Sequence, residues 1–151
     1  MSSNIRRRLA SAFGNPAWVC FLWFGMTAGI VLLATPLRFT AQSITRPVAL
    51  DVGRVVFTAL NRAELVALIV LLIVVRVSGR AAQWWAVAGV LALILIAQNA
   101  WLLPELAERT DMILAGREPP PSHLHATYAS LALVKLSILL IGGFTALGEQ
   151  K

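Results

Sequence analysis

Charge is the scarcest ingredient of this chain. Only 13% of its 151 residues are Asp, Glu, Lys or Arg, while 58% are hydrophobic; a soluble globular domain carries about a quarter charged residues. Too few charges remain to cover a water-facing surface, so a soluble fold is excluded. Cysteine is nearly absent: Cys20 alone rules out an intrachain disulfide and a cysteine-built metal cage. Two histidines, His123 and His125, stand one residue apart. On a helix their rings point about 200° apart and form no common metal face. A haem bundle would need histidines at depth on facing helices, which this sequence lacks. Glycine-rich phosphate loops, nucleophile elbows, zincin patterns and carboxylate-rich metal sets are missing too. No enzymatic activity, cofactor or metal is therefore expected.

What is present is apolar length. Four windows of roughly 18 or more mostly apolar residues are each sufficient to cross a hydrocarbon core of about 30 Å. The chain reads as a single all-α membrane domain, a bundle of four transmembrane helices over about 17–37, 50–75, 84–103 and 124–147. The first run exceeds a signal-peptide core and shows no clear cleavage site before Pro36, so it is expected to be retained. Leu37 to Ala49 reads as a loop because Pro47 discourages a helix running through it. The third helix is expected to end at Pro104, followed by a short interfacial helix in ELAERTDMILAG and a stiff spacer at Pro119, Pro120 and Pro121. Gln83, Trp84 and Trp85, and likewise Trp101 and Tyr128, read as aromatic-belt residues.

The formal net charge of +6 would suggest nucleic acid in a soluble protein. Here the arginines sit at segment ends and in loops, where they set topology and meet lipid phosphates, so no nucleic-acid partner is expected. Arg6, Arg7, Arg8, Arg76, Arg80 and Lys151 fall on one side; Arg38, Arg46, Arg109 and Arg117 fall on the other with most of the loop acids. The bias places both termini in the cytoplasm.

Against this background a few polar residues stand out. Glu64 lies twelve residues before Arg76, and Lys135 twelve before Leu147, so each is about 18 Å from its cytoplasmic helix end. Gln98 stands about 21 Å up the third helix from Trp84. A buried polar layer of Asn61, Arg62, Glu64, Gln98, Asn99 and Lys135 is expected, with Glu64 and Lys135 paired. Arg62 and Glu64 are two residues apart, so only one of them faces Lys135 squarely; Arg62 has snorkelling toward the headgroups as its alternative. The layer reads either as a device fixing which helices pack together or as a ligand, ion or proton site. Gly25 and Gly29 make a GxxxG step suited to close helix approach, within the bundle or between copies.

Three stretches carry a resemblance. LWFGMTAGIVLLATPLRF, ALDVGRVVFTALNRAE and HLHATYASLALVKL resemble the bacterial transmembrane protein 205-like family, small four-helix membrane proteins in a domain-of-unknown-function group. The resemblance implies a four-helix integral membrane protein and no established enzymatic activity. It brings no functional residue with it. The expected role is an assembly or accessory subunit of the bacterial cytoplasmic membrane, as a homo-oligomer or in a larger complex; the alternative is a small transporter or permeability factor using the polar layer.

Overall fold

The computed structural model describes residues 14–79 and 81–149. Arg6, Arg7, Arg8, Arg80 and Lys151, which carry much of the expected charge asymmetry, lie outside the described residues. The described residues form helices and no strand. Four rods result: α1 (Ala17–Arg38), α2 (Arg46–Ser78), α3 (Ala82–Leu114) and α4 (Leu124–Gly148). All four are long and apolar enough to cross a membrane.

Proline decides the course of three rods, at Pro47 and Pro104 differently from expectation. Pro47 sits in the first turn of α2, so the helix begins at Arg46 within the expected loop. Proline is tolerated there because its missing N–H is one that no helix start can pair. Pro104 does not end α3. A π-helical segment, Gln98–Leu102, precedes it, and the α-helix resumes as Leu103–Leu114 with Pro104 in its first turn. Widening the coil upstream relieves the clash between the pyrrolidine ring and the carbonyl four residues back. The Leu103 N–H then reaches the Gln98 carbonyl, five residues back. The expected short interfacial helix is thus the continuation of α3. In α1 the same device appears: Gly29–Ala34 is π-helical just before Pro36. There the Ile30 carbonyl accepts from the Thr35 N–H, five residues on, and also from the Thr35 hydroxyl at 2.8 Å.

The rods pack in ring order, α1 on α2, α2 on α3, α3 on α4 and α4 on α1. Asn15 Nδ2 donates to the Ala146 carbonyl at 3.0 Å while Asn15 Oδ1 accepts from Ala17 N. The start of α1 is thereby fastened to the end of α4, and both lie at one end of the bundle. Gln83 and Trp84, at the start of α3, meet Glu149 at the same end. Gly143 lets α1 approach α4, since a Cβ there would stand 2.8 Å from Phe21 Cε1; one at Gly142 would make ordinary contact, 3.8 Å from the Trp84 ring.

One expectation needs correcting and another is narrowed. Trp84 is not an interfacial belt residue but a core residue, 2% exposed, packed with Cys20, Trp23, Leu71, Leu91 and Leu139. Gly25 and Gly29 face outward, and nothing stands within 4 Å of a Cβ built on either. They make no close helix contact within this bundle, because α1 turns its Trp23/Thr27 stripe inward instead.

Rods α2 and α3 outreach the other two. With 33 residues each they run about 50 Å, well beyond a hydrocarbon core of about 30 Å. Their surplus, Arg46 to about Phe57 and Leu103–Leu114, packs together at the end of the bundle opposite Asn15.

Candidate functional site

At mid-bundle every rod contributes two polar or hydrogen-bonding side chains: Trp23 and Thr27 from α1, Asn61 and Glu64 from α2, Gln98 and Asn99 from α3, Tyr128 and Lys135 from α4. The first two pairs are spaced by four and three residues, which puts each on one helix face. Tyr128 and Lys135 lie seven apart, two turns along α4. Gln98 and Asn99 are consecutive and open the π-helical segment of α3. Pro104 therefore shapes the site from a distance, through the segment it requires.

Glu64 is the hub. Its Oε1 accepts from Trp23 Nε1 at 3.1 Å and from Thr27 Oγ1 at 2.7 Å, and its Oε2 accepts from Lys135 Nζ at 2.7 Å. Lys135 Nζ also donates to Gln98 Oε1 at 2.8 Å. Both charged side chains are closed off from the surface, Glu64 at 0% and Lys135 at 1% exposure. A second set joins it on the α2–α3–α4 side: Asn61 Nδ2 donates to the Tyr128 hydroxyl at 2.8 Å, and Asn61 Oδ1 accepts from Asn99 Nδ2 at 3.1 Å. Two buried opposite charges so placed attract strongly, but they first lose their hydration, so the pair is worth having only with its remaining lone pairs and protons bonded. Here three donors converge on Glu64. A buried donor is left over: Gln98 Nε2 has no hydrogen-bond partner among the described residues.

The expected Glu64–Lys135 pair and its Asn61, Gln98 and Asn99 partners thus come together. Arg62 does not join them. It is exposed on the outer side of α2, because a step of two residues turns it about 200° from Glu64. Tyr128, expected in an aromatic belt, is 3% exposed and belongs to the network. Trp23 and Thr27 join the layer without having been expected in it. Depth arithmetic applied to α1 places Thr27 about 15 Å from Ala17 and so near the height of Glu64, a signal that could have found it. His123 and His125 are exposed, and no group of three metal-ligating side chains occurs among the described residues.

A second feature lies at the projecting ends of α2 and α3. A cavity of about 280 Å³ opens there between the end of α1, the starts of α2 and α4, and the extension of α3; Arg38, Gly53, Phe57, Leu103, His125 and Tyr128 are among its walls. Tyr128 belongs to both places, so the cavity abuts the polar layer.

No family model, curated protein or solved structure matches this chain.

Proposed function

We propose that this chain is an integral membrane protein without enzymatic activity, an assembly or accessory subunit of the bacterial cytoplasmic membrane with both ends in the cytoplasm. Its resemblance to the bacterial transmembrane protein 205-like family is part of the same proposal. The observation that carries the reading is the outward GxxxG step of α1: Gly25 and Gly29 offer a small-residue face, and a Cβ built on either would meet nothing of the other helices within 4 Å. In lipid such faces let helices of separate chains approach closely. On α3, Ala82, Ala86 and Gly89 are also exposed. The inward charges, by contrast, are met by this chain's own groups, as suits a layer that fixes helix pairing. The leftover Gln98 donor is the observation on the side of a transport role for that layer.

The assembly role is tested on native membranes. With Cys20→Ser as background, Gly25→Cys is expected to cross-link to a neighbouring copy or subunit. Replacing both Gly25 and Gly29 with Leu should lower the mass of the complex in native gels. Folding stability should change by no more than about 1 kcal/mol, since glycine is itself a poor helix residue and no neighbour is displaced. A chain that leaves the membrane alone, at its own 16.3 kDa, refutes the assembly role.

A further inference from the structure

The cavity at the projecting ends of α2 and α3 has a wall of one charge sign: Arg38, Arg46 and Arg54 line it, and neither Asp nor Glu among the described residues does. Arg54 is already neutralised, by Asp51 at 2.5 Å and Asp111 at 2.6 Å. Arg46 is held loosely, 3.9 Å from Glu118, with both side chains mostly exposed. Arg38 has no carboxylate beside it among the described residues. Its guanidinium carbon lies 4.9 Å from the centre of the Phe39 ring and 5.8 Å from that of Phe57. It rests on Gly53, where a methyl group would collide with it, and its Nε is buried without a hydrogen-bond partner among the described residues. Aromatic faces and a glycine seat fix the cation in place without neutralising it or using its donor fork. Elsewhere on the wall, the Tyr128 hydroxyl accepts from Asn61 and keeps its own proton free to donate.

We infer that this cavity binds the phosphate of an anionic lipid headgroup, with Arg38 as the main ligand and Arg46 as the second. Guanidinium groups are suited to phosphate oxygens because their fork matches two of them at once. The volume, about 280 Å³, is at the small end for ligand pockets. It admits a headgroup and leaves the acyl chains outside, along exposed apolar side chains of α1 such as Leu33 and Leu37. Arg38 ends α1 and lies over Gly53, about 6 Å beyond the Phe57 level at which the surplus of α2 begins, so its guanidinium stands where spanning helices meet the headgroups. The inference uses the membrane placement proposed above but is independent of the assembly role.

The test is lipid binding to the full chain in a neutral detergent, read by native mass spectrometry. Phosphatidylglycerol is expected to remain bound where phosphatidylcholine does not. Arg38→Gln should weaken retention roughly tenfold, as loss of a charge-assisted contact does. Arg62→Gln, which removes the same charge from the outer side of α2, should leave it unchanged. If Arg38→Gln loses its helical circular dichroism, Arg46→Gln carries the test, with a loss of severalfold expected. Equal retention of the two lipids, or undiminished phosphatidylglycerol on a folded arginine variant, overturns the inference. Displacement of the lipid by an equal concentration of inorganic phosphate or glycerol phosphate assigns the site to a soluble phosphate and overturns the lipid source.

Discussion

Replacing Lys135 with Met will destabilise the bundle by about 3–5 kcal/mol, the usual cost of leaving one member of a buried ion pair without the other. Glu64 keeps its bonds from Trp23 and Thr27, but these dipoles do not replace a full positive charge 2.7 Å away. Gln98 Oε1 loses its donor in the same step. Adding Glu64→Gln should restore most of the stability, since a neutral amide still accepts from Trp23 and Thr27 and no longer needs a cation. Titration with sodium dodecyl sulfate in mixed micelles, followed by circular dichroism, reads both variants. A single variant within about 1 kcal/mol of the parent would show that the pair does not hold the helices together, because surface pairs are worth that little. If the double variant folds but fails in the cell, the layer is a functional site and the transport reading gains.

The next largest effect is expected at Trp23, which is fully buried and both fills the core and donates to Glu64. Trp23→Ala removes the ring and should cost about 3–5 kcal/mol, in line with other large-to-small changes in packed interiors. Trp23→Phe keeps most of the bulk but not the indole N–H, and should cost about 1.5–3 kcal/mol for the lost bond to a charged acceptor. The same titration measures both. The contrast between the two variants separates packing from hydrogen bonding. Equal costs would put the whole effect on the bond; a neutral Trp23→Phe would mean that Thr27 and Lys135 suffice for Glu64.

The pairing of Glu64 with Lys135 could be foreseen because each residue's height follows from its distance along a helix of known rise. Asn61, Gln98 and Asn99 were legible for the same reason. Arg62 has the right height to stand among them, but its direction around α2 is wrong. Trp23 and Tyr128 were not legible, because an aromatic side chain looks the same in sequence whether it lines a core, joins a polar network or sits at a surface. Pro104 looks like a helix end, yet α3 continues past it by way of a π-helical segment, as α1 does past Pro36. Whether a proline stops a helix depends on whether the turn before it can widen, as it does where the Gln98 carbonyl accepts from the Leu103 N–H five residues on.

Composition and spacing alone determined that there are four apolar rods and at what height their polar residues lie, because both depend only on neighbours along the chain. Tertiary structure decided how each rod is turned about its axis. It set Gly25 and Gly29 outward, drew Trp23, Thr27 and Tyr128 into the layer, and laid Arg38 over Gly53 beside a cavity. Those outcomes depend on all four helices packing at once: a rod's rotation is chosen by the side chains that must interlock across the bundle, and no single helix carries that information in its own sequence.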